Sequence, residues 1–534
     1  MKGKKDMKLK KNISALILVL AMLLSVCGCG GGKTESEITQ FESGVASDGS
    51  VSTSDVSSGN DNKTESSSQA GKPAGNNSKA QNSQGGGKGQ TTSGGTYQKP
   101  NKGSNTATDS SGNKVQLANP VYIAEGTKAM DEGLDFGGKT FTMAKRNDTA
   151  YKAASFTRLV SAFEKKYNCK IKTVEVEFNN YPTLIANAQA SGTPYDIIFC
   201  HGSMFPTIPM SGVVNDLSTY LSTADYDTGN GGIDIAKSSY FVVDNKLYGV
   251  VGGSDAVYPM VIYYNKQLFS KSGLEDPYEL YKAGKWTWSK FREQGKKVTD
   301  AANKVYYGDT SFFDKGVVQS LGVSLMTWKN NKTVVNLENT RVIKGYQMVY
   351  DFFNKSKICS NDFSASERVQ FSDGLAYCSV QETQKYSVYC EAAAQSPAFN
   401  RNAANVGVVP LPQDTASAKA GYPCGWYGAI MSGAGSSDPR VAVAFAKFWS
   451  TYTDPVADKY ELNSEQKALV KKLTSGNIAN LHGAYTGSDG INTTTIIDFR
   501  IGLDVAKGND VTSTINSHLS EVNTAIEYVI SKKK

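Results

Sequence analysis

The fold is decided by residues 140–200, which read TFTMAKRNDTAYKAASFTRLVSAFEKKYNCKIKTVEVEFNNYPTLIANAQASGTPYDIIFC. Apolar side chains at positions 156, 159, 160, 163 and 167 recur at the spacing of one helix face. Residues 140–144 and 173–178 read as strands on either side of that helix, and a second helix at 181–190 leads into a buried strand at 196–199. Alternating strands and helices predict parallel pairing in an α/β sheet.

Two loops follow strands of this predicted sheet, at 145–149 and 200–205. Ligands of open α/β sheets bind beyond the carboxyl ends of the strands, so polar side chains in these loops are candidate contacts. The first loop contributes Arg146, Asn147 and Asp148, although Asp148 could instead cap the next helix. The second contributes His201, whose alternative role is that of an ordinary hydrogen-bonded loop residue.

Upstream, the chain begins with six lysines ahead of an apolar run at 13–24. This pattern predicts a secretory signal peptide over residues 1–28, with a short anchor helix as the alternative, because a membrane span needs ~20 apolar residues. The run ends in Val26-Cys27-Gly28-Cys29, which resembles a bacterial lipobox. That resemblance implies lipidation of Cys29, which follows a small residue, with Cys27 as the alternative.

Residues 29–120 form a predicted linker between the lipid anchor and a folded unit at 121–534. The linker is rich in Ser, Gly and Asn, and it cannot bury enough apolar surface to offset the entropy of ordering it. The charge of the chain lies mostly in the leader: the net charge is +7 overall, +5 in residues 1–32 and 0 in residues 33–120. The nearly neutral remainder excludes a nucleic-acid partner recognised through bulk charge.

Five blocks of the chain together carry a family resemblance. They are FEKKYN at 163–168, ASGTPYDIIFCHGSMFPTIPMSGVVND at 190–216, LYGVVGGSDAVYPMVIYYN at 247–265, FSDG at 371–374 with VGVVPLP at 406–412, and GWYGAIM at 425–431. In this order they resemble the family 1 extracellular solute-binding proteins, the maltose-binding-protein-like receptors of bacterial ABC importers. The resemblance covers nearly all of residues 138–534.

The resemblance implies a type II periplasmic-binding-protein-like fold, in which two α/β lobes joined by hinge strands hold a solute between them. Two rigid lobes on a hinge can close around a ligand, and a transporter can distinguish the closed state from the empty one. The implied crossovers are Val261–Tyr264 and Val406–Val409. The implied lobes are 138–260 with 408–455, and 261–407 with 456–534.

Further candidate contacts lie in the crevice loops that the resemblance implies. Sugars are held by flat aromatic faces and by polar groups on their hydroxyls. Tyr258 and Trp426 are the main aromatic candidates, and Asp255, Gln381 and Arg500 are the polar ones. Phe312 and Phe313 are weaker candidates, whereas Trp286 and Trp288 fit the family pattern of core residues.

The chain departs from maltose-type receptors after the strand at 196–199. Those receptors carry a Trp and an acidic–basic pair there, whereas this chain has Cys200-His201-Gly202-Ser203-Met204. Maltose is therefore not implied as the solute.

The sequence shows no catalytic, metal or cofactor motif. Only three histidines occur, at 201, 482 and 518, without metal-ligand spacing, and there is no nucleophile elbow or phosphate-binding loop. A glycosidase carboxylate pair stays open because 50 acidic residues offer many pairs. Six cysteines follow the leader; Cys378 and Cys390 are a conceivable disulfide, and free buried thiols are the alternative.

These observations predict a lipid-anchored receptor that captures a small-molecule solute and delivers it to ABC permease subunits. The family resemblance implies that the solute is an oligosaccharide. The anchor and long linker favour the extracellular face of a Gram-positive membrane, with a Gram-negative lipoprotein as the alternative. Two other functions stay open: an extracellular glycan-degrading enzyme, and a binding-only sensor that does not transport.

Overall fold

The computed structural model describes residues 104–108, 114–122, 124–146, 154–177, 181–226, 232–252, 257–313, 315–414, 425–456, 459–475, 485 and 492–532. Its strands are β1 (Ser104–Thr108), β2 (Lys114–Val121), β3 (Thr140–Arg146), β4 (Lys170–Val176), β5 (Ile197–His201), β6 (Val242–Val243), β7 (Lys246–Leu247), β8 (Val257–Asn265), β9 (Tyr306–Gly308), β10 (Met326–Lys329), β11 (Lys332–Val335), β12 (Ala376–Glu382), β13 (Val406–Pro410) and β14 (Gly425–Met431).

The helices are α1 (Ala154–Tyr167), α2 (Tyr181–Ala190), α3 (Thr207–Met210), α4 (Ile235–Ser238), α5 (Lys266–Lys271), α6 (Pro277–Lys282), α7 (Trp288–Val298), α8 (Lys315–Gln319), α9 (Thr340–Tyr350), α10 (Glu367–Ser372), α11 (Tyr386–Gln395), α12 (Arg440–Thr451), α13 (Ser464–Ser475), α14 (Ile501–Ala506) and α15 (Val511–Lys532). Two π-helical turns lie at Asp351–Lys355 and Thr495–Arg500. Within the ranges just given, no helix is both long enough and apolar enough to cross a bilayer.

The first lobe is built on strands in the order β4-β3-β5-β14-β8. Strands β4, β3 and β5 are parallel, as the alternation of strands and helices predicts, whereas β14 runs antiparallel to both of its neighbours. Successive residues of a strand face opposite sides of the sheet. Accordingly, Phe199 packs with helices α1 and α12 on one face, and Ile198 and Cys200 pack on the other.

Strand β8 passes from one lobe into the other. Its residues 257–259 pair with β14 in the first lobe, and its residues 260–264 pair with β12 in the second. The first crossover therefore lies between Pro259 and Met260, just before the predicted Val261–Tyr264. The second lobe is completed by β13 on the other side of β8 and by β9 parallel to β12. The predicted α/β class with two lobes on a shared hinge strand is confirmed.

The second crossover lies later than the predicted Val406–Val409. Those residues belong to β13, which pairs along the second-lobe half of β8. Beyond them, the Gln413 backbone still bonds to Trp286 and Trp288, which are 1% and 3% exposed in the core of the second lobe. Gln413 thus still belongs to the second lobe, whereas Gly425 pairs with Pro259 in the first. The core positions predicted for Trp286 and Trp288 are confirmed.

A hairpin of β1 and β2 falls within the segment for which composition predicts a disordered linker. Its two strands pair antiparallel, and its Leu117 and Val121 are 3% and 0% exposed against the core of the first lobe. Two apolar side chains in a polar stretch are a weak sequence signal for a folded segment. In the structure, however, their burial against the first-lobe core favours the ordered hairpin. The described part of the first lobe thus begins at residue 104, inside the predicted linker 29–120.

A buried ion cluster attaches the segment after this hairpin to the first lobe. Lys447 Nζ on α12 lies 2.5 Å from Asp131 Oδ1 and 2.8 Å from Asp225 Oδ1. The Tyr167 hydroxyl donates to the other oxygen of Asp131 at 3.0 Å. Burial alone would raise the pKa of Asp131, but the hydrogen bond and charge of Lys447 lower it. The cluster therefore joins three separate stretches of chain through one cation.

Five cysteines in the described ranges, at 169, 200, 359, 378 and 390, are buried and free. The conceivable pairing of Cys378 with Cys390 is therefore wrong. Cys378 packs with Ile262 and Tyr264 on one face of the second sheet, whereas Cys390 packs with Val261 and Tyr263 on the other. The sheet itself separates the two thiols.

Candidate functional site

A cavity opens at the carboxyl ends of β3 and β5. Its empty volume is about 460 Å³, which includes the space at its solvent-facing mouth. It lies beside the crossover strand β8, where the two lobes meet. Its lining residues are Arg146, Phe199, Cys200, His201, Gly252, Tyr258, Gly428, Ala429, Ile430, Ala446, Trp449 and Ser450. This is the edge of the sheet at which ligands of α/β proteins bind.

Three residues chosen from sequence, Arg146, His201 and Tyr258, line this cavity. His201 ends β5 and is 9% exposed, and Tyr258 lies in the first-lobe part of β8. The Trp426 backbone pairs with Tyr258 across β14 and β8, which brings it to the same place in the sheet. Its side chain, together with Asn147, Asp148, Asp255 and the lipidation candidate Cys29, lies outside the described residues.

Gln381 and Arg500 lie in the second lobe and are not among the residues that line the cavity. The Gln381 side-chain amide donates to Glu367 Oε1 at 3.1 Å, from a position in β12 opposite Val261. Arg500 ends a π-helical turn and lies 3.8 Å from Glu521. Their contact with a solute stays a prediction that depends on how the lobes close.

Phe312 and Phe313 are core residues rather than crevice residues. They are 0% and 5% exposed and pack among the aromatic side chains of the second lobe. The adjacent Asp309 is fully buried, and burial holds its pKa well above the ordinary range although bonds from Ser311 oppose this. The Asp309 side chain accepts hydrogen bonds from the Ser311 amide and hydroxyl, and these bonds order the loop after β9.

Sequence reasoning missed the wall that α12 contributes to the cavity. Trp449 and Ser450 lie at the end of this helix, in an apolar run that reads simply as a core stripe. Gly252 permits the close approach, because a Cβ at that position would lie 2.3 Å from the Ala446 carbonyl oxygen. Only the packing of α12 against the sheet reveals that the end of the stripe borders the cavity.

The cavity combines an aromatic and apolar lining with hydrogen-bonding groups. The Trp449 ring is fixed at centroid distances of 5.4 Å to Phe199 and 6.0 Å to Phe156. The Cys200 thiol adds apolar surface, because burial raises its pKa well beyond the ordinary range and the charge of Arg146 only partly opposes this. Arg146, His201, Tyr258 and Ser450 can bond to a ligand rich in hydroxyl groups, and a guanidinium alone carries five N–H donors.

The described part of the chain offers no constellation for metal or carboxylate chemistry at this place. It contains no group of three or more His, Cys, Asp or Glu residues that could hold a metal ion. No Asp or Glu is among the described residues that line the cavity. The lining can bind and orient a ligand, and it contains no described acid–base pair of carboxyl groups.

A titratable cluster surrounds Arg500 at the contact of α14 and α15. His518 Nε2 lies 2.9 Å from Asp504 Oδ2, and His518 Nδ1 lies 3.5 Å from Glu521, the residue that also faces Arg500. The hydrogen bond to Asp504, followed by the charges of Glu521 and Asp504, raises the pKa of His518 above 6.5, although burial opposes this.

Stability is expected to depend on pH through this histidine. Because its pKa is raised in the folded state, protonated His518 stabilises the fold fully below about pH 6.5, and the contribution is lost as pH rises through the folded pKa. We expect a loss of roughly 1.5 kcal/mol, the size of one charge-assisted hydrogen bond. Urea unfolding between pH 5 and pH 9 measures it. His518→Gln is the control. If the unfolding free energy of that variant depends on pH as steeply as that of the wild type, the assignment to His518 is contradicted.

Comparisons with known proteins identify relatives of the chain. The sequence profile of the family described as "Bacterial extracellular solute-binding protein" matches residues 146–453, more than half of the chain. A curated relative, the galactooligosaccharide-binding protein of Bacillus subtilis (strain 168), is 24% identical over 196 residues, which are 36% of this chain and 43% of that protein. The alignment thus spans less than half of that relative.

Solved structures of low sequence identity share the fold. An ABC substrate-binding protein of Listeria monocytogenes in complex with cycloalternan has a TM-score of 0.53 at 18% identity, covering 73% of this chain and 100% of that one. The galacto-N-biose-/lacto-N-biose I-binding protein of Bifidobacterium longum has 0.53 at 17%, covering 74% and 98%. An extracellular solute-binding protein of Staphylococcus aureus in complex with maltose has 0.53 at 16%, covering 73% and 98%. These relatives are binding proteins, not enzymes, and their two-lobed fold is the type II fold predicted above.

Proposed function

Because the chain belongs to the family of bacterial extracellular solute-binding proteins, we propose that it captures an oligosaccharide outside the cell for an ABC importer. The observation that carries this proposal is the cavity beside the crossover strand. Its wall joins aromatic side chains, Tyr258 and Trp449, to the donors of Arg146 and Ser450. Flat apolar faces and hydrogen-bonding groups in one cavity suit a sugar ring, which presents C–H faces and hydroxyl edges.

The named ligands of the relatives support a saccharide. They are a galactooligosaccharide, cycloalternan, lacto-N-biose and maltose. The nearly neutral folded part, with a net charge of +2 outside residues 1–120, is compatible with an uncharged ligand.

The proposed mechanism is hinge closure without chemistry. A solute held by the first lobe is contacted by the second when the lobes rotate about the Pro259–Met260 crossover, and the ligand shifts the equilibrium only through its greater affinity for the closed form. The closed receptor then docks on ABC permease subunits. No covalent bond forms or breaks in this cycle.

We also propose that the chain is held at the extracellular face of the membrane by lipid on Cys29. The lipobox-like ending of the leader supports this assignment. In a Cys29→Ala variant the protein should leave the membrane fraction and collect in the culture medium, and Cys27→Ala is the matched control. Retention of Cys29→Ala together with release of Cys27→Ala would move the lipid to Cys27.

A thermal-shift screen tests the solute class. The purified protein, beginning at residue 30, is heated with galactooligosaccharides, maltooligosaccharides, monosaccharides, amino acids and polyamines. A ligand at 100 times its dissociation constant stabilises the folded state by ~2.7 kcal/mol. We expect the largest shift with an oligosaccharide. Stabilisation by an amino acid or a polyamine alone would overturn the sugar assignment.

The two alternatives predict other outcomes. A glycan-degrading enzyme would release products from the saccharide that binds, so chromatography of the incubated mixture separates it from a receptor. A binding-only sensor would leave uptake of that saccharide unchanged when its gene is deleted, whereas an importer receptor is required for uptake at low solute concentration.

Replacing Tyr258 with Ala is expected to weaken binding of the saccharide about 30-fold. Buried aromatic anchors contribute about 2 kcal/mol at binding sites, and a Tyr in β8 also lies where both lobes meet. Isothermal titration calorimetry measures the affinity. Tyr306→Ala, in β9 of the second lobe and outside the cavity lining, is the control. An affinity within twofold of the wild type would remove Tyr258 from the site.

A further inference from the structure

The cavity beside β8 extends from a half-buried mouth to the core of the first lobe. Arg146 and Ser450 line it and are half-buried, so they border the mouth. Phe199, Ile430 and Ala446 also line it, although they are only 4%, 5% and 1% exposed. We call these three side chains the cavity floor. Because all three belong to the core of the first lobe, the cavity reaches past the surface layer of that lobe.

The cavity floor is apolar because a helix packs against two strands there. Phe199 of β5 and Ile430 of β14 are cross-strand partners, and Ala446 of α12 packs in the same cluster. Gly252 lets the helix lie close, since a Cβ at that position would meet the Ala446 carbonyl oxygen at 2.3 Å. The single methyl group of Ala446 leaves room between the helix and the strands that a larger side chain would fill.

Polar groups border the same cavity at its mouth. Arg146 ends β3, and its guanidinium can donate to a carbonyl oxygen of a ligand. The Ser450 hydroxyl donates to the Lys447 carbonyl at 2.7 Å, and the lone pairs of its oxygen can accept an N–H group. The Trp449 ring, which packs against Phe199, lies next to Ser450 in the chain and is also half-buried. The lining thus brings a donor, an acceptor and apolar surface to one cavity.

A sugar that presents only hydroxyl groups does not match the cavity floor. A hydroxyl pressed against the floor gives up its hydrogen bonds to water, and the three apolar side chains offer none in return. A floor that no ligand atom touches forfeits dispersion contacts instead. The floor therefore favours a ligand with a methyl group, and the mouth favours polar atoms directly beside that methyl group.

We propose that the cavity recognises a saccharide that carries an acetamido group, with the methyl group on the floor and the amide at the mouth. An acetamido group joins one methyl group to one carbonyl acceptor and one N–H donor, and it is uncharged. Arg146 donates to the carbonyl oxygen and Ser450 accepts from the N–H, whereas the methyl group packs against Ile430 and Ala446. The inference rests on the proposed function, because it names the class of saccharide that the receptor captures.

Two pairs of disaccharides isolate the contribution of the acetamido group. N-acetyllactosamine carries an acetamido group where lactose carries a hydroxyl, and N,N′-diacetylchitobiose differs from cellobiose in the same way on both rings. Isothermal titration calorimetry with the purified protein measures the affinity for each of them. One additional carbon in an apolar pocket changes affinity by about 10- to 200-fold. We therefore expect the acetamido member of a pair to bind at least tenfold more tightly than its hydroxyl counterpart.

Two variants with side chains of nearly equal size test whether the methyl group lies on the floor. Ile430→Val and Ile430→Thr both keep a β-branched residue in β14, and only the second places a hydroxyl on the floor. We expect Ile430→Val to keep most of the preference for the acetamido sugar and Ile430→Thr to reduce it to less than threefold. The affinity for the hydroxyl counterpart should change less than threefold in both. Circular dichroism verifies that each variant is folded.

Three results would overturn the inference. The first is equal or weaker binding of the acetamido member in every pair that binds to the wild type, a comparison that does not depend on either variant. The second is an acetamido preference that persists unchanged in folded Ile430→Thr, because the methyl group then lies elsewhere. The third is binding of none of the disaccharides; in that case the thermal-shift screen still decides whether another oligosaccharide is the solute, so the proposed function is judged separately.

Discussion

Replacing Lys447 with Met is expected to lower the free energy of unfolding by about 3–5 kcal/mol, the usual cost of removing one partner from a buried ion cluster. The lysine side chain is 10% exposed and contacts Asp131 and Asp225, whose side chains are 17% and 1% exposed. Methionine fills a similar volume but leaves two carboxylates close together without a cation. Urea unfolding at pH 7, followed by circular dichroism, measures the loss.

The matched control is Lys467→Met, which breaks an exposed ion pair. Lys467 and Glu461 approach within 2.7 Å, but their side chains are 59% and 40% exposed. Exposed pairs contribute about 0–1 kcal/mol, so this variant should unfold almost like the wild type. Equal losses of unfolding free energy in the two variants would show that the buried cluster stabilises the fold no more than an exposed ion pair does.

The same cluster sets an acid limit on stability. Asp131 has a lowered pKa in the folded state, so its contribution is present above the unfolded value of about 3.9 and is lost as pH falls through the folded pKa. Lys447 has a raised pKa, so its contribution is present below about pH 10.4 and is lost as pH rises through the folded value. The cluster therefore stabilises the first lobe across the whole neutral range.

A chain that begins at residue 122 is expected to be about 3 kcal/mol less stable than one that begins at residue 101. The shorter chain lacks the β1–β2 hairpin, in which Leu117 and Val121 are 3% and 0% exposed, and each fully buried aliphatic side chain contributes about 1.5–3 kcal/mol. It also loses Asn119 and thereby leaves the Trp328 carbonyl without its bond. Thermal and urea unfolding of the two chains measure the difference.

Leu117→Ala in the longer chain removes the packing of one buried side chain but keeps the rest of the hairpin. It therefore distinguishes the effect of packing from the effect of shortening the chain. It should account for most of the loss, because the side chain leaves a cavity in the first-lobe core. If the two chains unfold alike, the hairpin is dispensable and the folded unit begins at the predicted residue 121.

The lobes were predictable from sequence, whereas their exact limits were not. Helix periodicity around Phe163 and the buried strand before Cys200 are local patterns, and both elements form where expected. The second crossover depends on which strand β13 pairs with, and no local pattern encodes that pairing. The β1–β2 hairpin was not predicted for a related reason. Its polar composition predicts disorder, and Leu117 becomes a core residue only because it packs against the first lobe.

The cavity was predictable in part for the same physical reasons. His201 follows from the rule that ligands bind at the carboxyl ends of parallel strands, whereas Tyr258 follows from its place just before the first crossover that the family resemblance implies. Trp449 and Ser450 come from helix α12 (Arg440–Thr451), which is far from β5 (Ile197–His201) in the chain, and their place depends on helix-to-sheet packing. A stripe of apolar residues shows that a helix is buried, but not which of its ends borders a cavity.

The free cysteines of the interior have a consequence for the setting in which the protein folds. Burial raises the pKa of Cys169 and of Cys390 to about 11, so their reactive thiolate forms are scarce at neutral pH. Across the described ranges no cysteine is joined to another, and the lobes are held by packing, hydrogen bonds and buried ions. The packing of the described core therefore requires no disulfide bond, whether the surroundings are oxidising or reducing.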